Sequence, residues 1–271
     1  MKKNITLKKL LSITVQKLQY LTENRVILQN KKVLDLACHD GESTKIIHDL
    51  GAQYTIGVDV RQELIDLAKS KISTDKVEFV VRDITDYDFM TTLVSQCNTI
   101  TCFGVLYHLF DHFRFFQKIL SDNVEHVLFE TEYGSESLNP EMFWGFEKTD
   151  HKLHGYAKNL SIIPNGTPNL SWILNAAAIF GFECDWIQYY GKTSVRQRKQ
   201  ITLEEYLSVA GPDWPSYQDL ISDVEIPQFV EAEIAHHLRS FTSRRMILRL
   251  FNKALIQSKP ICLADVYNWP Y

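Results

Sequence analysis

Five short apolar runs, each followed by a longer amphipathic stretch, constrain the fold of this chain more than any other feature. The runs cover residues 32–37, 54–60, 77–81, 98–103 and 126–131. Each is bounded by turn-forming or charged residues and is too short for a helix, so it reads as a buried strand. Between them, stretches such as 61–72 and 112–120 carry apolar residues at helical spacing. Strand and helix alternating at this pace demand parallel βαβ units with helices on both faces of the sheet. The expected fold is therefore a doubly wound, Rossmann-like α/β domain.

The flanks add to that frame. Ile5, Leu7, Leu10, Leu11, Val15, Leu18 and Leu21 recur at helical spacing, so residues 1–30 read as an amphipathic N-terminal helix. Beyond the fifth run, residues 135–163 are rich in Gly, Asn, His and aromatic residues and read as a long connection. Thr167 as cap and Pro168 as first helical residue predict a helix over 168–180, stopped at Gly181. Residues 182–189 and 246–251 read as a sixth and a seventh strand. The domain thus spans 31–191 and 241–258, and residues 192–240 form an insertion far longer than ordinary connections, suited to a substrate cap or a partner surface.

Composition narrows the function classes. Fifteen Phe, 12 Tyr and 5 Trp in 271 residues supply a full core without metal or disulfide staples. Twenty-nine basic against 33 acidic residues leave a formal charge of −4, which argues against sequence-blind binding to nucleic acid. No run is long and apolar enough to span a bilayer, and Lys8, Lys9 and Lys17 interrupt any signal-like segment. The five cysteines, Cys38, Cys97, Cys102, Cys184 and Cys262, form no Cys-x-x-Cys pair. They read as reduced, mostly buried thiols of a cytoplasmic protein without a metal site.

In an open parallel sheet, ligands bind beyond the carboxyl ends of the strands. Chemistry-bearing residues cluster at those ends. The first run passes through Asp35 into Leu36-Ala37-Cys38-His39-Asp40-Gly41, a tight turn whose backbone N–H groups at a helix start can meet polar ligand atoms. The second ends in Asp59, placed to accept both hydroxyls of a ribose. Asp83, after the third, can accept from an exocyclic amine, with Val60 and Ile84 as apolar faces. The fourth run leads into Phe103-Gly104-Val105-Leu106-Tyr107-His108, and the fifth delivers Glu130, Glu132 and Tyr133. Four such positions on successive strands suit a nucleoside-bearing ligand.

These residues resemble those of the class I S-adenosylmethionine-dependent methyltransferases, over about residues 33–189. The segment Val33-Leu34-Asp35-Leu36-Ala37-Cys38-His39-Asp40-Gly41 is similar to that family's first motif, an acid followed by alternating glycines, although Ala37 and His39 replace two of them. Asp59 matches its ribose-binding acid and Asp83 its adenine-contacting acid. The resemblance implies a seven-stranded, mostly parallel sheet with an antiparallel last strand. It also implies S-adenosyl-L-methionine as cofactor, held by Asp35, Ala37, His39, Gly41, Asp59, Val60, Asp83, Ile84 and Phe103. The segment Gly104-Val105-Leu106-Tyr107-His108 is similar to that of a subgroup containing the tRNA wobble-uridine carboxymethyltransferases.

Methyl transfer to a hydroxyl or amine needs alignment and a proton acceptor. His108 is the first candidate base, since an unperturbed histidine titrates at about pH 6.5, and Glu130 is the second candidate catalytic group. Tyr107, Tyr133, Trp144 and Tyr156 are the candidate acceptor-binding residues. The expected reaction is methyl transfer to oxygen or nitrogen of a small-molecule or glycan-type acceptor. Two alternatives stay open: a tRNA-modifying methyl- or carboxymethyltransferase, or a non-catalytic methyltransferase-like binding subunit. The aromatic residues of the connection and the insertion suit a homodimer interface as well as a substrate.

Overall fold

In a computed structural model the described residues are 20–132, 139–148, 162–190, 245–258 and 260–261. Nearly all of them fall in one compact unit, Tyr20–Gln188 with Arg245–Tyr271. Residues 1–19 of the expected N-terminal helix and the 192–240 insertion lie outside the described residues, as do Tyr133, Tyr156 and Cys262. Of the rest of that helix, 20–23 are helical, whereas Arg25–Ile27 form a 3-10 turn and Asn30 has a left-handed φ of 61°.

Strands β1 (Lys32–Leu36), β2 (Tyr54–Asp59), β3 (Val77–Val81), β4 (Thr99–Phe103) and β5 (His126–Glu132) match the five apolar runs to within a residue or so. They alternate with helices α1 (Glu42–Asp49), α2 (Gln62–Lys71), α3 (Tyr87–Val94) and α4 (His112–Ile119). Two further strands of the sheet, β8 (Phe182–Tyr190) and β9 (Arg245–Asn252), complete the order β3-β2-β1-β4-β5-β9-β8. The pairs β1/β2, β1/β4, β2/β3 and β4/β5 are parallel, whereas β9 runs antiparallel to β5, with Glu130 opposite Ile247 and Glu132 opposite Arg245. The seven-stranded, mostly parallel Rossmann-like sheet is the fold that the alternation predicts.

Burial explains the alternation. Val33, Leu34, Asp35 and Leu36 are all buried, on both faces of the strand, as expected where helices cover a parallel sheet. The helices meet it through one stripe each. In α4, His112, Phe115, Phe116 and Ile119 are buried at i, i+3, i+4 and i+7, and Phe116 stacks on Phe129 of β5 with centroids 5.3 Å apart. Asp111 caps α4 by accepting from Arg114 N at 3.1 Å, and Asp86 caps α3 by accepting from Phe89 N at 3.3 Å. Each such cap contributes about 1 kcal/mol.

Two local expectations are corrected. The connection at 135–163 is not wholly irregular: β6 (Met142–Lys148) and β7 (Ile162–Pro168) pair as an antiparallel two-stranded sheet. Its sequence lacks the β-branched alternation that marks a strand, so tertiary contact decides it. Gly166 N donates to Leu109 O at 3.1 Å, and an added Cβ at Gly166 would lie 2.8 Å from His112 Cε1, so the hairpin sits tightly against the segment after β4. Second, helix α5 (Leu170–Ile179) is capped by Asn169, not by Thr167, and Pro168 ends β7. Asn169 Oδ1 accepts from Trp172 N at 2.8 Å and from Glu141 N at 3.0 Å, which ties the hairpin to the helix start. The stop at Gly181, with φ +80°, is where the sequence places it.

Candidate functional site

The turn after β1 adopts the backbone that an alternating-glycine loop requires, without most of the glycines. Ala37, His39 and Gly41 have φ of 55°, 54° and 81°. A non-glycine residue there costs about 1 kcal/mol each, so the loop geometry is held by its surroundings. Asp35 is the main restraint. Fully buried in β1, its Oδ2 accepts from Ser43 Oγ at 2.9 Å and Thr44 Oγ1 at 2.7 Å, and its Oδ1 accepts from Thr101 Oγ1 at 2.8 Å. One carboxylate thus fastens the start of α1 and strand β4 to β1. Gly41 is the position where only glycine fits: an added Cβ would lie 2.8 Å from Ala68 Cβ and 2.9 Å from Phe79 Cζ. Beside the loop, burial, with the nearby charges of Asp35 and Asp59, pushes the Cys38 thiol well up, so it stays protonated.

Asp59 closes β2 against this loop. Its Oδ2 accepts from His39 N at 3.0 Å, and its Oδ1 accepts from Arg61 N at 3.0 Å. The Arg61 guanidinium supplies two more bonds, Nε to Oδ1 at 2.8 Å and Nη2 to Oδ2 at 2.9 Å. Burial alone would raise the Asp59 carboxyl, but the Arg61 bonds and charge outweigh it and hold the carboxyl below its ordinary value. The Arg61 role was not visible from the sequence. Its only signal is position, two residues past the acid and just before the first residue of α2.

Asp83 follows β3 in a half-buried turn. Thr85 N and Thr85 Oγ1 donate to its Oδ1 at 2.8 and 2.7 Å; buried Ile84 follows it in sequence, and half-buried Val60 follows Asp59 at the end of the neighbouring strand β2. His39 is half exposed, with its Nδ1 3.2 Å from Asp40 Oδ1. Hydrogen bonding from His39, with the Lys71 ammonium on the same carboxylate, holds Asp40 well below the ordinary carboxylate range.

A second cluster stands at the ends of β4 and β5. Phe103 and Glu130 are register partners, and Gly104, with φ +69°, donates its N–H to Glu130 O at 3.0 Å. Arg245, at the start of β9, binds three groups at once: Nη1 donates to Glu130 Oε1 at 2.8 Å, and Nη2 donates to Tyr107 Oη at 3.0 Å and to Glu132 Oε1 at 3.2 Å. Glu130 Oε2 is buried and has no hydrogen-bond partner among the described residues. A Cβ at Gly104 would lie 3.5 Å from that oxygen and 3.6 Å from Tyr107 Oη. Burial raises the Tyr107 phenol to about 12 against the pull of Arg245, so it stays protonated. His108, half buried in the short 3-10 turn Leu106–His108, sets its ring 4.3 Å from that of Tyr107. Trp144 is exposed on β6 and meets Phe110 at 5.2 Å and His112 at 6.1 Å. The 115 residues that separate Arg245 from Glu130 conceal this link in the sequence.

The two clusters are neighbours, since β1 and β4 pair side by side with Leu36 opposite Cys102. Among the described residues no group of three His, Cys, Asp or Glu is arranged to hold a metal ion, and no helix is long and apolar enough to cross a membrane. Cys38, Cys97, Cys102 and Cys184 are all buried.

Residues 33–121 match the family model described as "Methyltransferase domain". No curated protein sequence matches the chain. Among solved structures, the chain is similar to an S-adenosylmethionine-dependent methyltransferase from Mesorhizobium loti, with 13% identity over 88% of this chain and 99% of that one, at a TM-score of 0.53. It is also similar to magnesium protoporphyrin IX methyltransferase from Synechocystis with bound S-adenosylmethionine, with 12% identity over 93% of this chain and 86% of that one, at a TM-score of 0.51. Residues 33–121 thus carry a methyltransferase domain, on a fold shared with a solved structure that holds S-adenosylmethionine. The residues present fit that cofactor. The loop keeps left-handed backbone at all three glycine positions, and an acid closes β2 beside it.

Proposed function

We propose that the chain transfers a methyl group from S-adenosylmethionine to an oxygen or nitrogen of a small-molecule or glycan-type acceptor. The cofactor supplies a methyl already activated on a sulfonium; the protein has to align the acceptor, exclude water and provide for the departing proton. The observation that carries the acceptor reading is the buried Glu130 Oε2, which lies beside Gly104 and has no hydrogen-bond partner among the described residues. A buried carboxylate oxygen without a donor costs free energy, which an acceptor O–H or N–H at that position recovers. Arg245 fixes Glu130 through Oε1, and the same guanidinium sets Tyr107 Oη beside the space that Gly104 leaves. In this reading Glu130 orients the donor group of the acceptor. His108, half buried next to Tyr107, accepts the proton released as the new O–C or N–C bond forms.

The test is release of S-adenosylhomocysteine from the full chain with a panel of small hydroxylated, amine and glycan acceptors. Glu130→Gln should lower turnover about a hundredfold or more, while S-adenosylhomocysteine binding in calorimetry stays intact. Turnover with unfractionated tRNA and with no small acceptor would overturn the small-acceptor reading. Absence of cofactor binding by folded protein would overturn the methyltransferase reading altogether.

A further inference from the structure

Asp59 already holds the bonds that a ribose would make. A carboxylate offers about four lone-pair sites, and four donors reach this one: Arg61 N, Arg61 Nε, Arg61 Nη2 and His39 N, all within 3.0 Å. Two of these are backbone donors, fixed by the loop and by the start of α2. The other two come from one guanidinium, one bond to each oxygen. A vicinal diol presents two donors to a carboxylate in the same way.

From this geometry we infer that Arg61 is an internal competitor for the ribose hydroxyls, docked on Asp59 when no nucleoside is bound and displaced when one binds. The inference rests on the proposed cofactor reading of this crevice. Rotation of the Arg61 side chain removes the fork while its N–H stays on Oδ1, so the exchange needs no backbone change. Before binding, the guanidinium keeps Asp59, 2% exposed, from standing as an uncompensated buried charge. At binding, a charge-assisted pair is traded for two neutral hydroxyl donors, so Arg61 lowers affinity for anything with a ribose. It thereby favours release of the product nucleoside as well.

Calorimetry with S-adenosylhomocysteine on the full chain tests this, comparing wild type with Arg61→Ser, Arg61→Lys and Asp59→Ala, each first checked for a cooperative thermal melt. Arg61→Ser should bind at least about tenfold tighter than wild type, which corresponds to about 1.4 kcal/mol. Arg61→Lys, which keeps the charge but lacks the fork, should fall between the two, and Asp59→Ala should lose binding. Adenosine and 2′,3′-dideoxyadenosine then isolate the diol: the gain should appear with the first and vanish with the second. Equal or weaker binding by Arg61→Ser and Arg61→Lys, where wild type binds, would overturn the inference and leave the cofactor reading standing. An equal gain with both nucleosides would overturn it too. If no folded variant and no wild type bound any of these ligands, the cofactor reading itself would fall.

Discussion

His126 begins β5, is 8% exposed, and has its Nδ1 without a hydrogen-bond partner among the described residues. Burial, with the Arg249 charge behind it, lowers the imidazole from 6.5 to about 4. The folded protein therefore refuses a proton that the unfolded chain takes up at its ordinary value. The sign follows: stability is complete above pH 6.5 and falls as pH drops, until the loss levels off below about 4. With those two values, linkage gives a loss of about 0.8 kcal/mol at pH 6 and about 2 kcal/mol at pH 5. The perturbation is His126→Leu, which removes the titrating ring. The assay is urea unfolding at 25 °C of both proteins at pH 7, 6 and 5. Between pH 7 and pH 5, wild type should lose about 2 kcal/mol more than the variant. Other groups titrate in both proteins and cancel in the difference. Parallel stability curves would refute the reasoning, because they would mean that the buried ring accepts protons as readily as the unfolded one.

Two further outcomes are expected. Gly41→Ala should destabilise the fold by about 3 kcal/mol in urea unfolding, since it combines a left-handed φ of 81° with contacts at 2.8 and 2.9 Å to Ala68 and Phe79. Arg245→Met should cost about 3 kcal/mol or more by leaving Glu130 buried without its cation, and adding Glu130→Gln should restore much of it. Strictly additive losses in that double-mutant cycle would show that the pair does not interact as described.

Much of the fold was legible because it rests on local pattern. Apolar runs such as 32–37 and 54–60 match β1 and β2 nearly residue for residue, since strands inside the sheet are buried on both faces. The first loop was legible through its resemblance to an alternating-glycine motif: Ala37 and His39, which replace two of the glycines, stand at left-handed φ beside Gly41. The hairpin of β6 and β7 was not legible. Its residues lack strand periodicity, and it forms against Leu109 and His112, a contact that no local window contains.

The sequence by itself determined the order of strands and helices, and the acids at the strand ends, because alternation and chain direction place them there whatever the side chains later do. Only the tertiary structure decided what those acids hold. Asp35, read from the sequence as a strand-end acid, gathers Ser43, Thr44 and Thr101 from two other elements. Asp59 stands where the pattern put it, yet its partners are the Arg61 fork and the His39 amide. Glu130 receives its cation from Arg245, brought to it by the antiparallel pairing of β5 and β9. Periodicity records which face of an element is buried, whereas a hydrogen bond depends on ångström-level meetings of groups far apart in the chain. Those meetings exist only once the sheet has closed.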